Sequence, residues 1–202
     1  RDAGRGTAQQ PLCRGKGGGV SGKEPDIVRT GSRLVYENRW MRLREDTVRR
    51  RDGSPGLFGV VEKTDFVTVA AVEDGMVHMV EQFRYPVGRR CWEFVQGMWE
   101  YAPGTDPLEL ARAELREETG LRAAEMRYAG RLFLAYGFCT QANHVFLATG
   151  LTPGEAALEV EEQDLVTRAM PLAELEAMIR DGMIEDQSTV AAFGLLRLKG
   201  ML

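Results

Sequence analysis

Three glutamates stand close together near the middle of the chain, in the run AELREETGL at residues 113–121. On a helix, residues three and four positions apart share a face, so Glu114, Glu117 and Glu118 would point to one side. Carboxylates crowded on one face repel each other unless a cation lies between them, and a hard divalent cation such as Mg²⁺ takes oxygen ligands. The glutamates alone leave two alternatives open, a metal site and a solvated acidic helix end, of which the second is the more common for adjacent glutamates.

The segments that flank these glutamates favour the metal site over the solvated helix end. We predict a helix over residues 107–119, because Pro107 suits a first helical turn and either Thr105 or Asp106 can cap it. A glycine follows the carboxylates directly, and a loop with glycine and proline precedes the helix. The carboxylates would then lie on a short, well-delimited helix beside a loop.

The same segment resembles the signature of the Nudix hydrolases, which ends in Arg-Glu-apolar-any-Glu-Glu-any-Gly-apolar. Residues 114–121 supply the second half of that pattern. The first half departs from it, because the spacing from Gly97 to Glu114 is two residues longer and Thr105 and Ala113 replace a glutamate and an arginine. An acid and a base can pair, so we interpret the double loss as a rebuilt brace. The alternative is a site that binds its ligand without catalysis.

Two further stretches resemble the ADP-ribose pyrophosphatase branch of this family. Residues 81–87 (EQFRYPV) are similar to its Gln-aromatic-Arg-Tyr-Pro element, and residues 92–97 (WEFVQG) to its aromatic-Glu-apolar-Pro-Ala-Gly element. The resemblance implies that Arg84 and Glu93 bind substrate and that the backbone carbonyl of Gln96 helps to hold the metal with Glu114, Glu117 and Glu118. A guanidinium also matches phosphate oxygens in shape and charge. A surface arginine and an exposed strand glutamate are the alternatives.

The branch takes a catalytic carboxylate from a loop late in the chain, which corresponds here to residues 159–164 (EVEEQD). We predict Glu161 or Glu162 as the base, with Glu159 third, and we assign Glu118 to both the catalytic and the metal-binding sets. The alternative is an acidic loop that is only solvated. Trp99, in the inserted loop, would either stack on a nucleobase or cap the core, and we count it among the substrate-binding candidates.

The order of strand-like and helical stretches suggests a mixed sheet between helices. The resemblance implies the same fold class: an α/β (α+β) Nudix α/β/α sandwich over residues 63–202, preceded by a small antiparallel β subdomain at residues 32–62. In the branch that subdomain helps to form a homodimer, and a few strands are marginally stable alone, so we expect a homodimer. Residues 1–31, polar and rich in glycine, are predicted to be a disordered tail.

Composition narrows the function further. The net charge of −4 gives no basis for nucleic acid binding, and no apolar run approaches the roughly 20 residues that cross a bilayer. Three scattered cysteines without a CxxC motif favour a reduced, cytoplasmic protein, and the lack of a long apolar run favours one without membrane contact.

The resemblance implies hydrolysis, with Mg²⁺ or alternatively Mn²⁺, of the pyrophosphate in a nucleoside diphosphate joined to another group. ADP-ribose, giving AMP and ribose 5-phosphate, is the first candidate substrate. ADP-glucose or GDP-mannose is the next, and a non-catalytic nucleotide-sensing module is the rival.

Overall fold

The structure is a computed structural model of the 202-residue chain and describes residues 25–98, 106–158 and 163–202. The first sheet contains three antiparallel strands in the order β1-β2-β3. They are β1 (Ile27–Glu37), β2 (Arg42–Arg50) and β3 (Pro55–Glu62). Strand β1 begins within the segment that the sequence assigned to a disordered tail, so that assignment is wrong for residues 27–31. Pairing with β2, which joins Ile27 to Arg50, orders a stretch whose own sequence shows no strand periodicity.

The second sheet contains seven strands and is mixed, because the pair β4–β9 is parallel and its other pairs are antiparallel. Its central order is β10-β5-β4-β9-β8, with β6 added to β5 and β7 added to β4. The strands are β4 (Phe66–Glu73), β5 (Met76–Arg84), β6 (Arg89–Glu93), β7 (Val95–Gly97), β8 (Arg122–Phe133), β9 (Ala142–Thr152) and β10 (Val166–Pro171).

Helices cover both faces of this sheet. They are α1 (Pro107–Thr119), α2 (Leu172–Arg180) and α3 (Gln187–Leu198). Successive residues of a strand point to opposite faces. Val145 and Leu147 of β9 accordingly pack against α2 and α3, whereas Phe146 and Ala148 pack against α1. The predicted α/β/α sandwich is confirmed.

Strand β8 is longer than the sequence indicated. The sequence shows two separate strand-like stretches, at residues 125–128 and 131–134, but a single strand spans the first and almost all of the second. Its pairing with β9 changes register between Tyr128 and Gly130, and Gly130 has a φ of 154°. This irregularity, of the kind that a β-bulge produces, lets the strand bend and continue through Gly130.

Asp65 fastens the start of β4 to its neighbours. Its Oδ2 atom accepts hydrogen bonds from Arg131 Nε and Nη2 at 3.2 and 3.0 Å, and its Oδ1 atom accepts one from the backbone N–H of Ala142 at 2.8 Å. His144 Nε2 lies 3.4 Å from Oδ2. Burial opposes the charge of Asp65, but the hydrogen bonds from His144, Ala142 and Arg131 outweigh it and lower the pKa of Asp65.

None of the helices among the described residues has both the length and the apolar character that a membrane span requires.

Candidate functional site

Helix α1 fixes the position of the glutamates through its two ends. The Asp106 side chain accepts a hydrogen bond from the Leu108 N–H at 3.0 Å, and Pro107 occupies the first turn. Gly120, at a φ of 73°, ends the helix by donating its N–H to the Arg116 carbonyl. Both ends agree with the prediction from sequence, and Asp106 is the capping residue. Thr105, the other candidate for the cap, lies outside the described residues.

The three signature glutamates have different surroundings. Glu114 and Glu118 are 8% and 1% exposed, whereas Glu117 is half-buried and pairs with Arg116 at 2.8 Å. Residues four apart on a helix differ by about 40° in direction and adjacent residues by about 100°. The expectation of one shared face therefore fits Glu114 and Glu118 best, with Glu117 at its edge.

Two neighbouring positions on α1 bear on the departures from the signature. Arg112 does not take the place of the missing arginine, because its Nη1 donates to the Ala123 carbonyl at 3.0 Å. Ala113 is half-buried and carries no group that could pair with an acid. The rebuilt brace remains a prediction, since its loop lies outside the described residues.

Because Gly97 has no side chain, the Glu114 carboxylate can pack directly against the backbone at residue 97. A Cβ atom added at Gly97 would lie 1.9 Å from Glu114 Cδ and 2.1 and 2.2 Å from its two carboxylate oxygens. The carboxylate thus occupies the space that any other side chain at position 97 would fill, close to the Gln96–Gly97 backbone. Carboxylate and carbonyl oxygens are the donors that Mg²⁺ and Mn²⁺ prefer, so these residues fit a hard divalent cation.

Side chains alone do not complete a metal site in the part of the chain that the structure describes. No three of the described His, Cys, Asp and Glu residues form a group that could hold an ion. Mg²⁺ is commonly bound by one or two carboxylates and completes its coordination with water and substrate phosphates. The geometry of Glu114, Glu118 and the neighbouring backbone is compatible with that mode.

Arg84 and Glu93 form an ion pair on the neighbouring strands β5 and β6. Glu93 is 2% exposed, and it accepts hydrogen bonds from Arg84 Nε at 3.1 Å, from Arg84 Nη2 at 2.5 Å and from Gln82 Nε2 at 2.9 Å. Both carboxylate oxygens are therefore engaged within the protein. The geometry makes Glu93 the residue that orients Arg84, whose guanidinium is partly exposed.

Burial acts in opposite directions on the pKa values of Arg84 and Glu93. For Arg84 burial alone would lower the pKa, but Glu93, followed by Glu118 and Asp186, raises it above the ordinary value. For Glu93 burial is the largest influence and raises the pKa, while Arg84 opposes that change. Because a guanidinium keeps its proton in proteins, the group that titrates in this pair is Glu93.

An open cleft of about 670 Å³ adjoins these residues. Its walls include Arg84, Glu93, Gln96 and Gly97, together with residues 185–188 at the start of α3. Small-molecule sites commonly measure about 300–1,000 Å³, so a nucleotide derivative is of suitable size. The fold thus brings together the two elements at residues 81–87 and 92–97 that the sequence placed near the substrate.

Asp186 is a site residue that the sequence reasoning missed. It caps α3 by accepting hydrogen bonds from the Thr189 N–H at 2.8 Å and the Ser188 N–H at 3.4 Å. Its Oδ2 atom also accepts from Gln96 Nε2 at 2.6 Å. An aspartate before Ser188 and Thr189 is a recognisable capping signal, but nothing in the sequence links it to residue 96.

Some predicted site residues lie outside the described residues. They are Trp99, Glu159, Glu161 and Glu162. Described residues on both sides of positions 159–162 are attached: the Ala157 N–H donates to the Glu117 carbonyl at 2.9 Å, and Asp164 Oδ2 accepts from Arg90 Nη1 at 2.8 Å. These contacts join one flank to α1 and the other to β6.

Comparisons with known proteins place the chain in a family. The family profile described as "NUDIX domain" matches residues 63–193, and "Nucleoside diphosphate sugar hydrolase N-terminal domain" matches residues 28–61. An ADP-ribose pyrophosphatase of Mycobacterium tuberculosis is 34% identical over 170 residues, which are 83% of this chain and 82% of that protein. A GDP-mannose pyrophosphatase of Citrobacter koseri is 27% identical over 64% of this chain and 71% of its own length.

A solved structure described as "Crystal structure of ADP compounds hydrolase" has a TM-score of 0.77 at 20% identity and covers 90% of this chain and 98% of its own. At that identity the likeness establishes the fold. The chain belongs to the Nudix hydrolases, as the domain match and the mycobacterial relative together show. Within that family it is a hydrolase of the ADP-ribose and nucleotide-sugar pyrophosphatase type, which confirms the resemblance seen in the sequence.

Proposed function

We propose that the protein hydrolyses the pyrophosphate of ADP-ribose to AMP and ribose 5-phosphate, with Mg²⁺ as the cofactor and Mn²⁺ as a possible substitute. The observation that carries the proposal is the Glu114 carboxylate seated on Gly97, beside a cleft that Arg84 lines. The relative named ADP-ribose pyrophosphatase supports this choice of substrate. The relative named GDP-mannose pyrophosphatase makes nucleotide sugars the second candidate class.

The proposed metal ligands are the carboxylates of Glu114, Glu117 and Glu118 and the backbone carbonyl of Gln96. A divalent cation would neutralise phosphate charge and lower the pKa of a bound water. Glu114 and Glu118 are nearly buried, so their charges act in a medium that screens them less than water does. Glu117, half-buried at the edge of the group, is the proposed ligand with most access to solvent.

Arg84 is the proposed phosphate-binding residue, and Glu93 is proposed to act through it. A guanidinium has five N–H donors, and the two contacts with Glu93 use two of them. Phosphate oxygens in the cleft are the proposed acceptors for the remaining donors. Holding the planar group by a bidentate pair orients it before substrate arrives, which reduces the entropy lost on binding.

Glu161 and Glu162 are the proposed candidates for the base that removes a proton from the attacking water, with Glu159 third. Trp99 is proposed to stack on the nucleobase. Glutamine at each of the three acidic positions, tested singly, identifies the base as the position whose loss lowers kcat most. A Trp99→Leu substitution should raise KM for ADP-ribose and leave kcat nearly unchanged if the ring stacks on the base.

We further propose that the subdomain at residues 32–62 mediates a homodimer. Large apolar side chains in the first sheet and its connections are 36–59% exposed, which is consistent with a surface covered by a second subunit: Leu34, Val35, Tyr36, Trp40, Leu57 and Phe58. A cytoplasmic location remains part of the proposal, and the free thiols of Cys91 and Cys139 are consistent with a reducing compartment.

A substrate panel tests the proposed function. ADP-ribose, ADP-glucose and GDP-mannose are incubated with the full chain, with and without Mg²⁺, and products are quantified by chromatography. We expect metal-dependent turnover and a loss of at least about 100-fold, or about 2.7 kcal/mol, in Glu118→Gln. Glu125→Gln, at an exposed position on β8, is the matched control. Full activity of Glu118→Gln contradicts the assignment, and binding without turnover favours the sensing module.

A further inference from the structure

The first turn of α3 is tied to the strand segment that carries the candidate site. The Phe94 N–H donates to Thr189 Oγ1 at 2.9 Å, and Thr189 Oγ1 donates to Asp186 Oδ2 at 2.7 Å. Gln96 Nε2 donates to the same Oδ2 atom at 2.6 Å. Asp186 therefore reaches both ends of residues 94–96, once directly and once through Thr189, which is fully buried.

The residues on either side of this tethered segment belong to the two halves of the site. Glu93, which precedes it, orients Arg84. Gly97, which follows it, packs against the Glu114 carboxylate. A shift of residues 94–96 would therefore move the phosphate-binding half and the carboxylate half relative to each other.

The strand that contains Gln96 has little pairing of its own. β7 is only three residues long and pairs with β4 over Val95, Gln96 and Gly97. Residue 95 is a valine. A proline at this position would fix the backbone φ angle through its ring, and valine does not. A side-chain contact from outside the sheet is therefore an effective way to fix the direction of the Gln96 carbonyl.

We propose that Asp186 is a positioning residue, which through Gln96 and Thr189 fixes the backbone oxygen beside Glu114 for a divalent cation. The inference deepens the proposed function and rests on it. Asp186 touches neither the cation nor the substrate in this role. Partners that orient the ligands of a metal typically change its affinity about 10–100-fold when they are lost.

Gln96→Met is the most direct test, because it keeps the length of the side chain and removes the amide that donates to Asp186. The cap of α3 remains, since Thr189 and Ser188 still donate to Asp186. Mn²⁺ is titrated into the metal-free full chain and the free ion is measured by electron paramagnetic resonance. We expect an about tenfold higher Kd for Mn²⁺, and activity that recovers at saturating metal.

Arg197→Met is the matched control. Arg197 ties the other end of α3 to α2 through Glu176 at 2.5 Å, so its loss also frees α3 from a neighbour. A merely structural effect of loosening α3 would lower the melting temperature in both variants and leave the Mn²⁺ affinity unchanged in both. We expect weaker Mn²⁺ binding in Gln96→Met alone.

A double-mutant cycle shows whether Gln96 acts through Asp186. Asp186→Ala should weaken Mn²⁺ binding at least as much as Gln96→Met, and adding Gln96→Met to it should have no further effect. An active wild-type protein with a Kd for Mn²⁺ that changes less than twofold in Gln96→Met overturns this inference alone. A wild-type protein that neither binds Mn²⁺ nor hydrolyses any substrate of the panel overturns the proposed function and this inference with it.

Discussion

The placement of Glu114 on Gly97 makes Gly97→Ala an informative substitution. The new Cβ would lie 1.9 Å from Glu114 Cδ, so that carbon must move about 1.5 Å to reach the 3.4 Å of ordinary contact. Misplacing a group by about 1 Å can cost about 100-fold in rate. We therefore expect kcat/KM to fall at least about 100-fold. If Glu114 no longer reaches the metal, the stimulation of activity by Mg²⁺ should be lost as well.

The same substitution should change stability much less than activity. Gly97 is not among the glycines with positive φ, so alanine can adopt the backbone conformation. Steady-state kinetics on ADP-ribose at several Mg²⁺ concentrations and a thermal unfolding curve would be measured on the same preparation. Gly59→Ala in β3 is the control, because a Cβ at Gly59 meets nothing within 4 Å. The control should keep both kcat/KM and the melting temperature.

A second substitution distinguishes a steric effect from a general disturbance. Glu114→Asp shortens the side chain by one C–C bond, about 1.5 Å, which is the space that the new methyl group requires. Gly97→Ala combined with Glu114→Asp should be no less active than Glu114→Asp alone, so the two effects should not add. Wild-type kcat/KM in Gly97→Ala, or simple additivity in the double variant, would refute the placement of this carboxylate.

Three other outcomes follow from contacts elsewhere in the protein. Glu93→Gln should raise KM about tenfold at pH 7 by loosening Arg84. In the wild type KM should rise on acidification at a higher pH than an ordinary carboxyl would give, because burial raises the pKa of Glu93, and this pH dependence should be absent from the variant. Asp65→Asn should lower the free energy of unfolding by about 1 kcal/mol at pH 7. Because the pKa of Asp65 is lowered in the folded state, the difference should begin to shrink as pH falls below the ordinary 3.8 and should vanish only below the lower pKa of the folded state. Leu57→Glu should reduce the molar mass in light scattering from about twice the 22.5 kDa of the chain to a single copy, whereas Leu198→Glu should not.

Local signals in the sequence were sufficient for helix α1. The limits of α1 were predicted correctly because Pro107, the capping aspartate and Gly120 each act through their own backbone or a neighbour within one turn. The strands were less predictable, because a strand depends on partners that are distant in sequence. β1 begins earlier than the sequence indicated, and β8 is one strand where the sequence shows two strand-like stretches.

The amino-acid sequence by itself determined the family, the sandwich fold and the acidic helix, because residues 114–121 carry the signature in a continuous run. Tertiary structure decided the differences among residues of the same type. It made Glu93 the partner of Arg84, left Glu117 at the edge of the carboxylate group, and brought Asp186 to Gln96 from 90 positions away. The physical reason is that burial and hydrogen-bond partners depend on how the sheet and helices pack, which short-range spacing does not contain.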